Sequence, residues 1–273
     1  EAGQNKGYML VKDSHRLSVE AIRPFLVSPE VYLKVYQETD STNRAAKEAA
    51  VTGTAGHGGC VVAGKQTAGR GRRGRSFYSP EEAGLYLSVI LKPQGSLRES
   101  LLLTAEAAVA VYKAVLRVTG ISLDIKWVND LYYHDRKVCG ILTEAVTDFE
   151  SGEIDFAVVG IGLNLYEAAE GYPSELKGIA GALYKDREAA AELDRNRLAA
   201  EIINFLLEET RELRLPPEYI QQNLVPGREV RIVDGQEIRE AKALEICPDG
   251  RLRVQEADGS FSVLSYGEIS LII

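Results

Sequence analysis

The sequence predicts an α+β fold in which helices flank a mixed β-sheet, followed by a small all-β region at the C-terminal end. Helical and strand patterns alternate along residues 29–223 without the regular strand–helix–strand order of a parallel sheet. From Pro226 onward, short strands alternate with the turn signals VDGQ, CPDG and EADG. This second pattern is typical of a β-meander that closes into a barrel. The change of pattern places a boundary near residues 223–226.

The N-terminal part contains a lead-in segment and the first strands. Within residues 1–28, KGYMLVKD predicts one short strand and SVEAIRPFL predicts a short helix with Ser18 as its N-cap. YLKVYQET then predicts a strand, and the helix that follows it begins at Ser41 or Thr42. CVVAGKQ is apolar enough to predict a buried strand.

The middle of the chain alternates strands with two longer helices. LYLSVILK places Leu85, Leu87, Val89 and Leu91 on one face of a strand, and a long helix is expected over about residues 98–119. LDIKWVNDLYY and KVCGILTEAV predict short strands, the second entered through a hairpin turn at HDRK, and DFAVVGIGLNL predicts another buried strand. The last helix lies in LDRNRLAAEIINFLLEETREL, with Asp194 as its N-cap.

Composition narrows the class of protein. The 273 residues are 45% hydrophobic and 26% charged with a net charge of −8, so the surface as a whole does not favour nucleic acid. The most apolar helical stretch carries Glu106, Lys113 and Arg117, so no membrane span is predicted. Three widely spaced cysteines predict reduced, mostly buried thiols in a cytosolic protein. Because the chain begins with Glu1 and not with Met, we expect a piece of a longer protein.

A strongly basic, glycine-rich segment interrupts this acidic chain: AGRGRRGRSFYSP at residues 68–80, which we call the arginine loop. It contains four arginines and three glycines, and no acidic residue occurs from Ala49 to Pro80. Glycine lets a backbone fold closely over a ligand, and guanidinium groups bind carboxylate and phosphate through planar forks. The arginine loop therefore predicts a clamp for a small anionic ligand.

Other kinds of site share parts of this pattern. Gly69, Gly71 and Gly74 have the G-x-G-x-x-G spacing of dinucleotide-binding loops, but the segment RSFYSPEEAG that follows does not predict a helix near Gly74. The G-x-x-x-x-G-K match that ends at Lys65 lacks the Ser or Thr that a phosphate-binding loop needs for magnesium. An RGG-type RNA contact and a solvated surface loop stay open as alternatives.

Four further segments carry polar or small residues that fit a single site. DSTN places hydroxyl and amide groups at a helix start, where free N–H groups also point outward, although a plain helix cap is the alternative. KWVNDLYY arranges Lys126, Asn129 and Asp130 around an apolar segment. DRKVCGIL places Lys137 at the start of a strand, and GIGLNL ends a buried strand with two glycines and Asn164.

Taken in order, these motifs resemble those of the biotin–protein ligase family. The series is D-S-T-N, Q-x-A-G-R-G-R-x-G-R, K-W-x-N-D-L, D-R-K-x-x-G-I-L-x-E and G-I-G-x-N, and the resemblance covers residues 31–273. It implies a class II aminoacyl-tRNA-synthetase-like catalytic fold at residues 29–223 and a Src-homology-3-like β-barrel at residues 224–273. Residues 1–28 resemble the end of the winged-helix domain of the bifunctional ligase/repressor type, most of which is missing from this chain, and its linker.

The resemblance implies an ATP-dependent ligase. Biotin and Mg²⁺-ATP would give biotinyl-5′-AMP and pyrophosphate. A lysine of the biotin carboxyl carrier domain of a biotin-dependent carboxylase, such as acetyl-CoA carboxylase, would then accept the biotinyl group. The resemblance further implies a cytoplasmic homodimer without membrane contact. DNA binding and repression of biotin operon transcription would require the missing N-terminal domain.

The resemblance also assigns roles to individual positions. The expected biotin contacts are Ser41, Thr42, Asn43, Gln66, Gly69, Arg70, Gly71, Arg72, Lys137, Gly140, Gly160 and Gly162. The expected ATP contacts are Arg70, Arg72, Arg73, Phe77, Asn129, Lys137 and Asn164. Lys137 and Arg72 would be the catalytic groups, and Asp130 would bind Mg²⁺. Phe77 stands where some members have tryptophan beside the adenine, and Val128 stands where the family usually has proline.

Related functions share part of this pattern. A lipoate–protein ligase has the same fold and chemistry, but its loop has paired arginines before a glycine run, which GRGRRGR does not match. A transcriptional regulator that senses biotinyl-5′-AMP would use the same pocket. An RNA-binding module would bind its ligand in a salt-dependent manner and without ATP.

Overall fold

Seven strands of the chain form one large mixed sheet. The computed structural model describes residues 2–3, 7–8, 16–93, 100–147, 154–234, 237–265 and 268–271. A two-residue antiparallel pair, β1 (Ala2–Gly3) and β2 (Gly7–Tyr8), precedes the sheet. The strands of the large sheet are β3 (Leu33–Tyr36), β4 (Cys60–Ala63), β5 (Gly84–Leu91), β6 (Asp124–Lys126), β7 (Asp130–Tyr133), β8 (Arg136–Thr147) and β9 (Ile154–Asn164). Their spatial order is β3-β4-β5-β9-β8-β7-β6, and within it β3 and β4 run parallel while the other neighbours run antiparallel. The predicted α+β fold with a mixed sheet is confirmed.

Five α-helices accompany this sheet in the described part of the chain. They are α1 (Val19–Ile22), α2 (Thr42–Val51), α3 (Ser100–Thr119), α4 (Arg195–Glu209) and α5 (Pro217–Gln221). The predicted N-caps are confirmed, because the side chains of Ser18, Ser41 and Asp194 each accept a hydrogen bond from a backbone N–H of the first helical turn. The predicted start of the long helix at residue 98 lies outside the described residues, and so does most of the predicted strand KGYMLVKD.

The two faces of the large sheet are covered differently. Leu85 and Leu87 of β5 belong to the main core, which also contains apolar residues of α3 and α4. Ile90 of β5 points the other way and packs with Ala46 and Ala49 of α2. All eight residues of β5 are buried as a result, so the alternation of LYLSVILK marks two covered faces and not one. Beyond the area that α2 covers, the second face carries mostly small residues, and the site described below lies on it.

The C-terminal part of the chain forms a separate small sheet. Its strands are β10 (Glu229–Asp234), β11 (Glu237–Ile246), β12 (Leu252–Glu256), β13 (Phe261–Leu264) and β14 (Glu268–Leu271). They are antiparallel throughout, in the order β13-β12-β11-β10-β14, which confirms the predicted meander. Among the described residues, β13 and β14 lie at the two edges of this sheet and do not pair with each other, so closure into a barrel stays a prediction.

Two side chains join the small sheet to the large one. Trp127, in the segment between β6 and β7, donates from Nε1 to the carbonyl oxygen of Gly250 at 2.9 Å. Arg73 of the arginine loop donates from Nη1 to the carbonyl oxygen of Val233 in β10 at 3.3 Å. The small sheet therefore lies beside the segments that carry the candidate site.

The structure also bears on the predictions made for the cysteines and for membrane-spanning helices. Cys60, Cys139 and Cys247 are free thiols, and burial raises the pKa of Cys60 to about 12, so this thiol stays protonated. Among the described helices, none combines the length and the apolar character that crossing a membrane requires.

Candidate functional site

The floor of the candidate site is a set of facing glycines on neighbouring strands. Gly160 and Gly162 of β9 lie opposite Leu142 and Gly140 of β8 and opposite Ser88 and Tyr86 of β5. Side chains on these positions point away from the main core, and glycine leaves room for other groups to approach the sheet closely. A methyl group at Gly160 would overlap Asn43 Oδ1, and one at Gly162 would stand 2.5 Å from Cε1 of Phe77. Asn43 and Phe77 therefore rest directly on the glycines.

A group of amides and hydroxyls, all buried except the half-buried Gln66, lies at the Gly160 end of this floor. We call Thr42, Asn43, Gln66 and Ser88 the amide cluster. Thr42 donates from its backbone N to Gln66 Oε1 at 2.9 Å and from its hydroxyl to the same oxygen at 3.1 Å. Ser88 Oγ lies 2.6 Å from Asn43 Oδ1, to which it donates, and 2.8 Å from Thr42 Oγ1. The helix start at α2 is therefore more than a cap, because its side chains are bonded to two strands.

Glu144 of β8 adds a charged group to this cluster. Its Oε2 accepts a hydrogen bond from Asn43 Nδ2 at 2.8 Å, while its Oε1 lies 3.4 Å from Arg70 Nη1 of the arginine loop. The carboxylate thus bridges the amide cluster and the arginine loop.

The arginine loop forms a hairpin. Arg70 and Ser76 form a bridge between its two arms, and Gly71 N donates to Arg75 O at 2.7 Å. A single turn of 3₁₀ helix at Arg72–Gly74 closes the tip, with positive φ values of 57° at Arg73 and 74° at Gly74. The prediction that no α-helix starts at Gly74 is confirmed, because the chain continues extended from Arg75. The loop therefore has the compact backbone that a clamp requires.

Each of three arginines in this loop contacts a different element. Arg72 Nη1 donates to Asn129 Oδ1 at 3.0 Å, Arg70 pairs with Glu144, and Arg73 reaches the small sheet at Val233. Arg70 and Arg73 are exposed, and Arg72 is half-buried. Arg70 and Arg72, which are expected to contact the ligand, therefore lie over the site. The Arg73 guanidinium is turned towards the small sheet.

A lysine and a carboxylate lie at the Gly162 end of the floor. Lys137 Nζ pairs with Asp130 Oδ1 at 2.7 Å, and the same Nζ would stand 3.3 Å from a methyl group on Gly140. The turn between β7 and β8, where His134 and Asp135 have φ values of 48° and 58°, brings Lys137 back beside Asp130. Asn129 Nδ2 is held by the carbonyl oxygen of Ile141 at 2.9 Å. Lys137, Asp130, Asn129 and Phe77 therefore surround one end of the glycine floor.

One expected nucleotide contact is engaged elsewhere. Asn164, at the end of β9, is buried and donates from Nδ2 to the carbonyl oxygen of Gly181 at 2.9 Å. This bond ties β9 to the segment that follows it. Nearby, burial raises the pKa of Tyr172 to about 12, so its hydroxyl is neutral at physiological pH.

The residues fit magnesium only in a limited way. The described part of the chain contains no group of three or more His, Cys, Asp or Glu side chains that could hold a metal ion. Mg²⁺ usually takes one or two protein carboxylates together with substrate phosphates and water. The single carboxylate of Asp130 is compatible with that arrangement, although it is paired with Lys137 here.

Two residues of the site were not predicted from the sequence, Ser88 and Glu144. Ser88 is fully buried in an otherwise apolar and aromatic strand, which is a signal that the sequence does carry. Glu144 ends the motif D-R-K-x-x-G-I-L-x-E, but its place beside Asn43 follows from the pairing of β8 with β9. The Trp127–Val128 peptide bond, within K-W-x-N-D, is cis.

The site brings hydrogen-bonding amides and hydroxyls, a basic loop and a Lys137–Asp130 pair together on one glycine floor. Residues 35–164 match the model of the biotin/lipoate A/B protein ligase family. The chain is 31% identical to the biotin–[acetyl-CoA-carboxylase] ligase of Mycobacterium tuberculosis, over 87% of this chain and 88% of that protein. The chain therefore belongs to this family, and within it to the biotin–protein ligases.

Two further comparisons describe how far the likeness extends. The bifunctional ligase/repressor BirA of Bacillus spizizenii is 39% identical over 67% of this chain, but the match spans only 56% of that protein's length. A solved structure of the biotin protein ligase from Aquifex aeolicus, in complex with biotin and ATP, has a TM-score of 0.70 at 28% identity. That match covers 88% of this chain and 98% of the Aquifex chain.

Proposed function

We propose that this protein joins biotin to AMP at the expense of ATP and then transfers the biotinyl group to a lysine of a biotin carboxyl carrier domain. One observation carries the proposal: the amide cluster and the Lys137–Asp130 pair lie at the two ends of one glycine floor, and the arginine loop contacts both ends. The names of the Mycobacterium and Aquifex relatives, which mention acetyl-CoA-carboxylase, biotin and ATP, support it.

The amide cluster is suited to the ureido ring of biotin. That ring presents one carbonyl acceptor and two N–H donors, and amides and hydroxyls can pair with both kinds of group. We assign Ser41, Thr42, Asn43 and Gln66 to this contact, with Gly160 giving the ring system close access to the sheet. Thr42, Asn43 and Ser88 are buried and the cluster is internally bonded, so little ordering is needed when the ligand binds.

The first step brings two anions together. The biotin carboxylate attacks the α-phosphorus of ATP, a C–O–P bond forms, and the bond to the β-phosphate breaks so that pyrophosphate leaves. Arg70, Arg72 and Lys137 would offset the repulsion and stabilise the charge that develops on the phosphoryl oxygens. Gly69 and Gly71 would let the loop backbone approach the same oxygens, as is expected for a phosphate clamp.

The remaining nucleotide contacts are assigned to the Gly162 end of the floor. Phe77 would stack on the adenine, and Asn129 would face the nucleotide. Asn164 and Arg73 would have to exchange their bonds to Gly181 and Val233 in order to contact the nucleotide and its phosphates. Asp130 would hold the Mg²⁺ ion, which supplies charge neutralisation at the departing phosphates. Gly140 and Gly162 would form the walls beside Phe77.

The second step needs a neutral amine and the exclusion of water. An unperturbed acceptor lysine has a pKa of about 10.4, so only about one molecule in 2,500 is neutral at pH 7. Lys137 or Asp130 would assist the loss of the proton as the amine attacks the biotinyl carbonyl and AMP leaves. The arginine loop would cover the adenylate meanwhile and limit its hydrolysis.

Several wider properties belong to the same proposal. We propose a lead-in at residues 1–28, a catalytic domain at 29–223 and a C-terminal barrel at 224–273, in a cytoplasmic homodimer. Because a Bacillus relative is named a ligase/repressor, a form of the protein with an N-terminal DNA-binding domain is also proposed to repress transcription.

Biotin-dependent exchange of labelled pyrophosphate into ATP tests the proposed function. We expect exchange with biotin and none with lipoate at the same concentration. Exchange with lipoate alone would assign the chain to lipoate ligation. No exchange at high ATP and biotin would leave the sensing or nucleic-acid interpretations ahead of the ligase.

A further inference from the structure

Glu144 contacts both the amide cluster and the arginine loop through its carboxylate, and the proposed function assigns no role to it. Its side chain is 28% exposed, with one carboxylate oxygen on Asn43 Nδ2 at 2.8 Å and the other on Arg70 Nη1 at 3.4 Å. We propose that Glu144 is a positioning residue that fixes the direction of the Asn43 amide and couples it to Arg70. The inference rests on the proposed function, because it concerns how the biotin contact is built.

The direction of the Asn43 amide follows from counting donors and acceptors. An ionised carboxylate only accepts hydrogen bonds, and so does the carbonyl oxygen of Leu142, which lies 3.3 Å from the same Asn43 atom. That atom must therefore be the amide nitrogen, and both of its hydrogens are used. The amide oxygen is left facing Ser88 and Gly160.

The direction set at Asn43 passes to the hydroxyls of the cluster. Since Asn43 Oδ1 accepts, the hydroxyl hydrogen of Ser88 is committed to it at 2.6 Å. Thr42 Oγ1 lies 2.8 Å from Ser88 Oγ as the second acceptor near that hydrogen, and Thr42 donates its own hydroxyl hydrogen to Gln66 Oε1 at 3.1 Å. The hydrogen bonds of Ser88 and Thr42 thus extend the direction set at Asn43 to Gln66.

The other oxygen of Glu144 links this network to the anion side of the site. Arg70 is held at 3.4 Å by the same carboxylate that holds Asn43, so Glu144 couples this arginine to the biotin pocket. Replacing the carboxylate by an amide leaves a single acceptor oxygen for two donors. Either Asn43 or Arg70 then loses its partner.

Glu144→Gln tests the inference by equilibrium binding of biotin without ATP. We expect the dissociation constant to rise about tenfold, the size typical of losing a charge-assisted hydrogen bond. Glu240→Gln is the matched control, because Glu240 pairs with Arg231 on the surface of the small sheet at 3.5 Å and should leave binding unchanged. Unchanged binding in Glu144→Gln would overturn the proposal.

A charge exchange between positions 43 and 144 distinguishes a positioning role of Glu144 from general damage to the fold. Asn43→Asp places a second carboxylate against Glu144, so biotin binding should fall by about a hundredfold. Adding Glu144→Gln to Asn43→Asp restores a donor facing an acceptor, and Ser88 can still donate to the introduced carboxylate. We expect the double variant to regain at least about tenfold in affinity over Asn43→Asp. No recovery would overturn the proposal.

Biotin binding by the wild-type protein distinguishes a failure of the proposed function from a failure of the proposed role of Glu144. If the wild-type protein does not bind biotin, the function proposed above fails and the role of Glu144 fails with it. If the wild type binds biotin and the variants behave like it, only the role of Glu144 is overturned.

Discussion

The two ends of the glycine floor are built in opposite ways. At the Gly160 end, Thr42, Asn43 and Ser88 are buried, and the contacts among them and Gln66 measure 2.6–3.1 Å. Over the site, the arginine loop reaches Glu144, Asn129 and Val233 through the side chains of Arg70, Arg72 and Arg73, at 3.0–3.4 Å. One end of the floor is a packed network of short hydrogen bonds, and the loop reaches the site through longer contacts made by charged side chains.

The difference matches the two ligands that the site is proposed to hold. A neutral ring is recognised through hydrogen bonds of fixed direction, which a buried network provides without reorganisation. A phosphate group that changes charge and leaves needs cations that can approach and withdraw. We therefore expect substitutions at the Gly160 end to change biotin affinity and those at the loop end to change the adenylate chemistry.

Lys137→Met should give the largest effect. Lys137 is the cation at the Gly162 end, and it pairs with Asp130 at 2.7 Å. Removing a preorganised charge from a phosphoryl-transfer site typically costs about 10²–10³ in rate. We expect pyrophosphate exchange to fall by that factor, while biotin binding without ATP changes little.

The two half-reactions decide which role Lys137 has. Loss of both adenylate formation and transfer would fit a cation that stabilises phosphoryl charge. Normal adenylate formation with loss of transfer alone would instead make Lys137 the base for the acceptor lysine. Lys177→Met, at an exposed position, serves as the control.

Substitutions at two glycines of β9 should separate the ends of the site. A methyl group at Gly160 overlaps Asn43 Oδ1, whereas one at Gly162 meets Phe77. Gly160→Ala should raise the dissociation constant of biotin about tenfold or more, because overpacking displaces a fixed amide. Gly162→Ala should raise the KM for ATP by a similar factor, because the Phe77 ring must move.

Titration calorimetry for biotin and steady-state exchange for ATP would measure these effects. Gly56→Ala is the matched control, since no atom lies within 4 Å of a methyl group there. If both glycine variants weakened the binding of the same ligand equally, the division of the floor into two ends would be wrong.

Most elements of the fold could be predicted because their signals are local. The caps at Ser18, Ser41 and Asp194 lie next to the helices that they start, and apolar alternation marks β5. The helix α5 was missed because its five residues, which begin at the second proline of a Pro-Pro pair, carry too little periodicity. The burial of both faces of β5 was also missed, since it depends on α2 packing from elsewhere in the chain.

The site was predictable in part for the same reason. The motifs around Asn43, Arg72 and Lys137 are contiguous in sequence, so their residues could be named. The roles of Ser88 and Glu144 depend on register, because Ser88 and Leu142 lie opposite Gly160 from two different strands. Register of this kind is a tertiary property that one sequence does not display.

Arg72→Ala should give a smaller effect at the loop end. Arg72 is half-buried and donates to Asn129 at 3.0 Å, so it joins the arginine loop to the K-W-x-N-D segment. Without it, we expect the adenylate to leak into solution about tenfold faster, as for loss of one charged hydrogen bond. Release of labelled adenylate measures this, with Arg251→Ala on the small sheet as control. An unchanged leakage rate would refute the clamp.

Glu106→Gln should leave both ends of the site unchanged and alter only stability. Glu106 is fully buried in α3, on the opposite side of the large sheet, and its Oε1 accepts from the backbone N of Arg214 at 2.9 Å. Burial raises the pKa of this carboxyl from 4.5 to about 8, against the opposing effect of the Arg214 hydrogen bond, and Glu209 raises it further.

The pH dependence of unfolding follows from that shift. Between pH 4.5 and about 8 the folded protein holds a proton on Glu106 that the unfolded chain releases, so this group makes stability fall as pH rises through that window. Above the window both states are ionised, and Glu106 adds no further pH dependence to the stability.

A glutamine at position 106 keeps the acceptor for Arg214 and has no proton to lose. Urea unfolding of Glu106→Gln should therefore show higher stability than the wild type at pH 8.5, by about 1–3 kcal/mol, and a smaller difference at pH 5. Equal pyrophosphate exchange in the two proteins would show that the site does not depend on the charge of Glu106 on the other side of the sheet. Parallel pH profiles of unfolding for the two proteins would instead mean that Glu106 is ionised throughout.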